Sequence, residues 1–182
     1  GGATTASGVK ESELNLALAL KLDALLGFLG QETLMIRTTD CSLHQEGDTV
    51  RERKTSDLKR RVEIVNETPG AMLLSIHQNF FTDPRYSGAQ VFYTITESNR
   101  QWAETTQEML RMVVDPENLR NAKEFPSPVY LMEHISCPAI LVECGFLSNG
   151  EESSLLMTDA YQRRLVLAMA GAYLQQLYMI YD

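Results

Sequence analysis

Two apolar runs decide what this chain can fold into. Residues 71–77 read AMLLSIH and residues 139–143 read AILVE, and both are nearly continuous in apolar side chains. An alternating strand needs cover on one face only, whereas an unbroken run is satisfied when a sheet is covered on both. The chain therefore has to supply layers above and below a sheet.

The intervening segments supply helices. From about Ser12, the residues Leu14, Leu18, Leu22, Leu25, Leu26 and Leu29 fall on one helical face, and Gly30 sits where a helix-ending glycine belongs. Asp57 is placed to cap a second helix whose Leu58, Val62 and Val65 share a face. Residues 98–114 form a third, with Trp102, Met109 and Val113 inward. A last helix starts at Asp159, with Leu165, Ala168, Met169, Ala172 and Leu177 inward. Further strands are expected at 33–38, 89–95 and 129–132, with residues 1–8 as loop and TDPRYSG (82–88) as turn. The polar stretch 39–55 is long for a compact domain. Strands alternating with helices point to one three-layer α/β domain over 1–182, with a mixed, mainly parallel sheet flanked by helices.

Charge narrows the partners. Acidic residues outnumber basic ones 24 to 16, for a net charge of -8, so the basic face that nucleic acid requires is lacking. No apolar run reaches membrane-spanning length. Cys41, Cys137 and Cys144 are odd in number and show no Cys-x-x-Cys spacing, so neither a disulfide framework nor a zinc knuckle is indicated.

Three residues stand where chemistry could be placed. His77 closes the first apolar run, and ligands of α/β sheets gather where strands end; a hydrogen-bonded histidine closing a strand fits as well. Glu143 closes the second run, where burial would raise its pKa toward that of a general base; a glutamate emerging into solvent is the competing reading. Glu11 precedes the first helix, where the helix dipole favours the ionised form that binds metal, although plain dipole complementation would place it there too. Strand alternation turns Cys144 away from Glu143 and into the core. A Cys/His hydrolase built from Cys144 or Cys137 with His134 therefore lacks support.

Taken together, GVKESELNLALALKL, LLSIHQN, SGAQVFY and PAILVECGFLSN resemble, in order and spacing, the Amidase_3 family of zinc-dependent N-acetylmuramoyl-L-alanine amidases. The likeness runs from about Gly2 to Tyr178. The segment SDLKRRVEIVN and the polar stretch before it resemble the sporulation branch, the CwlD-type amidases. The resemblance implies Glu11 and His77 as zinc ligands, Glu143 as catalytic carboxylate, and Asn79 as a supporting or substrate-contacting residue. It implies a peptidoglycan hydrolase at the wall or spore cortex, outside the cytoplasm. Family members carry a further ligand histidine in a DPGHGG-like motif after a leading strand, and this chain begins at GGATTASG. His44 and His134 do not stand at a family ligand position. The expectation is thus a fold without the family's first strand, an incomplete zinc site, and self-association through exposed sheet surface. An activating protein is left open, as is the alternative of a non-catalytic peptidoglycan-binding module derived from an amidase.

Overall fold

The computed structural model describes residues 2–181, so Gly1 of the expected leading loop lies outside the described residues. Helix α1 spans Glu11–Phe28 and α2 spans Val50–Glu67, followed by strands β1 (Leu73–Asn79) and β2 (Gln90–Tyr93). Then come α3 (Glu97–Val113), the short β3 (Lys123–Glu124), α4 (Tyr130–His134), β4 (Ala139–Phe146), α5 (Gly150–Leu156) and α6 (Asp159–Tyr181). The sheet runs β1-β4-β2-β3, with β1–β4 and β2–β3 parallel and β2–β4 antiparallel. No helix among the described residues is long and apolar enough to cross a membrane.

The unbroken apolar runs meet the cover they require. On one face Ile140, Val142 and Cys144 pack with Leu14, Leu18 and Leu22 of α1, Trp102 and Leu110 of α3, and Leu165 and Met169 of α6. On the other, Ala139 and Leu141 pack with Met132, Leu73, Phe92, Phe125 and Val129 in a much smaller cluster. There α4 supplies Met132, and α2 packs against α4. The sheet therefore has a thick layer on one side and a thin one on the other. Leu29, assigned to the α1 face, sits at the helix C-cap and is exposed, because the apolar stripe ends at Leu26.

Buried amides place the strands. Asn99, exposed by 5%, accepts from the Ala139 N–H at 2.9 Å and donates to Thr94 Oγ1 at 2.7 Å, so the start of β4 is fixed to α3. Gln107 accepts from the Val91 N–H and donates to the Ala89 carbonyl, which ties β2 to the same helix. At the other end of β4, the Glu152 carboxylate accepts from the N–H groups of Gly88 (2.8 Å) and Phe146 (2.7 Å). Only glycine fits at 145, since a Cβ there would lie 2.8 Å from Glu152 Cδ. The turn before β2 is thereby joined to the end of β4.

Three expected elements differ. Residues 33–38 form no strand: no described strand lies beside them, and an unpaired strand leaves its backbone groups unsatisfied. Arg37 instead donates to the Ser12 carbonyl at 2.6 Å, holding this segment against the start of α1. Residues 129–132 lie largely in α4 rather than in a strand; such a short apolar run carries no decisive period. Asp57 is not a cap. Helix α2 begins earlier, where Thr49 and Glu52 form a capping box, and Asp57 pairs with Arg61 and accepts from the Leu43 N–H. The polar stretch is thus partly helical and partly pinned to α2.

Glu152→Ala should cost about 2–4 kcal/mol, because it strands two buried N–H donors. Glu152→Gln should recover only part of this, since its amide nitrogen cannot accept. Urea denaturation checks this, and an Ala variant as stable as the parent would contradict the proposed clamp.

Candidate functional site

Register brings the sequence-selected residues together. In the β1–β4 ladder His77 lies directly opposite Glu143, and both share the sheet face of Leu141, the thinly covered one. Gln90 of β2 flanks Glu143 on its other side. Glu11 reaches them from the opposite layer, because the first turn of α1 stands at the end of β1. His77 Nδ1 donates to Glu11 Oε1 at 3.0 Å, with the two side chains 43% and 14% exposed. Asn79 follows one alternation beyond His77, beside a ladder irregularity, and its carbonyl accepts from the Leu147 N–H at 2.8 Å.

The two carboxylates of the site are driven apart in acidity. Burial works against the charge on Glu11, but hydrogen bonding and charge from His77, with the Asn15 amide and the Ala3 N–H, prevail and hold the carboxyl down at about 2. Glu143 has burial without such donors. Desolvation dominates, His77 opposes it and the Glu11 charge adds to it, so the carboxyl is pushed up to about 7. Its Oε2 is buried with no hydrogen-bond partner. A group poised near neutrality with a free oxygen is suited to taking up and returning a proton.

Sequence reading passed over the residues that steady Glu11. Asn15 Nδ2 donates to Glu11 Oε1 at 3.2 Å, and Asn15 Oδ1 in turn accepts from Gln78 Nε2 at 3.2 Å. The Gln78 backbone N–H also points to Glu11 Oε1, at 3.4 Å. The available signal was spacing: Asn15 lies four residues after Glu11, one helical turn along the same face. Gly2 approaches so closely that a Cβ would meet Glu11 Oε2 at 2.6 Å.

Other candidates stand apart. His134, on α4, donates or accepts at the Tyr130 carbonyl and stacks on its ring, at the opposite end of β4 from Glu143. His44 is exposed and pairs with Ser42. Cys144 is fully buried, and burial pushes its thiol up, away from the nucleophilic thiolate. Burial likewise raises Cys137. Imidazole and carboxylate are both zinc donors, so the His77–Glu11 pair suits a divalent cation in kind. Among the described residues, however, no group of three or more His, Cys, Asp or Glu is gathered to hold one.

A mixed α/β sheet with an acid–imidazole–acid constellation at the carboxyl ends of its two central parallel strands defines a hydrolase-type domain. The pattern of the Amidase_3 family, N-acetylmuramoyl-L-alanine amidase, matches residues 1–174, and the chain belongs to that family. It is 32% identical over 166 residues to the germination-specific N-acetylmuramoyl-L-alanine amidase of Bacillus subtilis, covering 90% of this chain and 69% of that protein. Its fold matches that of the CwlD amidase from Clostridioides difficile, solved in complex with the GerS lipoprotein, at a TM-score of 0.93 and 34% identity. That match covers 98% of this chain and 92% of the other. A second amidase, from Clostridium difficile 630, matches at a TM-score of 0.80 and 25% identity over 98% and 89% of the two chains. The resemblance to the sporulation branch therefore holds, and the chain is a peptidoglycan amidase by class.

The opposed acidities are open to measurement. With its folded pKa above the unfolded one, Glu143 makes the metal-free fold lose stability as pH rises from about 4.5 to about 7. Glu143→Gln should remove that decline and be more stable at pH 8 by up to about 3 kcal/mol; parallel Tm–pH curves for the two proteins would rule this out. Glu11 runs the other way, giving stability above about 4.5 that is lost as pH falls toward about 2. Asn15→Leu removes a donor to its charged form and should raise its pKa, read by carboxyl carbon NMR. An unchanged Glu11 titration would refute the role of Asn15.

Proposed function

We propose that this chain hydrolyses the amide between the lactyl group of N-acetylmuramic acid and the L-alanine of the stem peptide, with zinc as cofactor. The observation that carries the reading is Glu143, a buried carboxyl with one unpartnered oxygen, set opposite the His77–Glu11 pair. Glu11 and His77 would hold the ion through a carboxylate oxygen and an imidazole nitrogen. When bound, zinc would polarise the scissile carbonyl and make water a stronger acid. Glu143 accepts the proton of the attacking water and delivers it to the departing nitrogen as the C–N bond breaks. The products are a lactyl carboxylate on the sugar and a free amino group on the peptide. Asn79, on the same strand two residues past His77, supports the site or meets the substrate.

The names of the relatives support spore-cortex peptidoglycan as the substrate and a location outside the cytoplasm. The lipoprotein bound to the Clostridioides difficile enzyme supports a protein partner for this chain as well. A second reading, a peptidoglycan-binding module without catalysis, draws on one observation: the described residues offer a cation two donors, whereas catalytic zinc takes three protein ligands.

Zinc titration against a chromophoric chelator, paired with hydrolysis of a muramyl peptide, separates the two. The amidase reading expects zinc binding, weak because the donors are few, that His77→Ala and Glu11→Ala each reduce at least tenfold. It expects Glu143→Gln to keep the zinc and lose at least about a hundredfold in hydrolysis. A parent that binds sacculi but neither zinc nor scissile substrate would establish the module instead. Hydrolysis indifferent to chelators would exclude both.

A further inference from the structure

The segment that follows β1 presents apolar rings to solvent that neither the core nor the proton-transfer chemistry uses. Phe80, Phe81 and Tyr86 are 53%, 48% and 46% exposed. Phe81 and Tyr86 meet edge to face, with centroids 4.8 Å apart, and Tyr86 leans on buried Phe146 at 6.2 Å. The Arg120 guanidinium lies 4.6 Å from the Phe146 ring centre and 5.9 Å from that of Tyr86. Arg120 is in turn held by the Ser87 carbonyl at 2.7 Å and by Gln90 Oε1 at 3.0 Å.

These rings are fixed in place. The Phe81 N–H donates to Ser148 Oγ, Asn149 Nδ2 donates to the Pro84 carbonyl, and the Gly88 N–H donates to Glu152. Each bond joins the ring-bearing turn to the segment just beyond β4. Preorganised aromatic surface loses little conformational freedom when a ligand settles on it. Phe146 stands three residues past Glu143 along β4, about 10 Å at ~3.3 Å per residue. Gln90, which holds Arg120, is the cross-strand neighbour of Glu143. The ring platform is therefore continuous with the reactive groups.

We propose that Phe81 and Tyr86, backed by Phe146 and Arg120, form a platform for the glycan strand of the substrate, receiving the apolar C–H face of an N-acetylated sugar next to the muramic acid under attack. This rests on the amidase reading, and it deepens that reading by naming what the enzyme holds besides the scissile amide. The acyl side of that amide is attached to a sugar, so the polymer brings neighbouring sugars to within reach of Glu143. Stem peptides carry carboxylates, and the cations beside these rings are already engaged: Arg85 pairs with Asp83 at 2.7 Å, and Arg120 is bonded and stacked. A neutral sugar face suits the rings better. A protein seated here would obstruct the approach to Glu143.

The test uses peptide-free glycan strands of alternating N-acetylglucosamine and N-acetylmuramic acid, titrated calorimetrically into the metal-free chain. The parent should bind, and Phe81→Ala and Tyr86→Ala should each weaken binding roughly three- to tenfold. Phe81→Trp should bind within about twofold of the parent, while Phe81→Leu should behave as Phe81→Ala, because bulk without a ring offers no aromatic face. Met112→Ala, which removes an exposed residue of α3, should change nothing. A parent that does not bind the strands, Ala variants that bind as the parent does, or a Leu variant equal to the parent would overturn the platform. The strands contain no peptide amide, so this outcome is independent of hydrolysis; failure to cleave a muramyl peptide would count against the amidase reading alone.

Discussion

The parallel ladder between β1 and β4 is the constraint on which the rest of the structure depends. Its register sets Ile76 beside Val142 and His77 beside Glu143. Side chains alternate along a strand, so one register serves two purposes. It buries Ile140, Val142 and Cys144 against α1, α3 and α6, and it turns His77 and Glu143 toward the thin layer. A slip by one residue would exchange these sets, placing ionisable groups in the large core and a thiol at the surface. Stability and chemistry are thus bound to the same pairing.

Local surroundings then give chemically similar groups opposite tasks. Glu11 and Glu143 differ little as free side chains. One sits at a helix start among an imidazole, an amide and backbone N–H groups, and it remains charged far into acid. The other sits in a strand with a bare oxygen and holds its proton until near neutrality. The helix that carries Glu11 also carries Asn15, so the same turn that presents the charge steadies it.

Much of this could be read in the chain because apolar patterns are long where they matter. The α1 and α6 stripes and the two buried strands extend over enough residues for period and face to be unambiguous, which placed His77 and Glu143 at strand ends and Cys144 in the core. Legibility failed where a segment depends on what lies beside it. Residues 33–38 have the composition of a strand but no described neighbour to pair with, and a short run such as 129–132 satisfies helix and strand alike. Asp57 could cap a helix, yet Thr49 with Glu52 begins it a turn and more earlier. Glu152 looks like one more acidic residue in a helical segment, and nothing local reveals that it receives two backbone N–H groups from elsewhere. Three-dimensional proximity of Glu11 to His77, 66 residues apart, needed the fold itself.

The unequal thickness of the two layers bears on how a substrate can arrive. The imidazole at the end of β1 is nearly half exposed, on the side of the sheet with the smaller apolar cluster. No deep pocket has to be entered from a chain end. A cross-linked mesh has few free ends, and a shallow ledge at the rim of a sheet can meet such a polymer broadside, anywhere along its length.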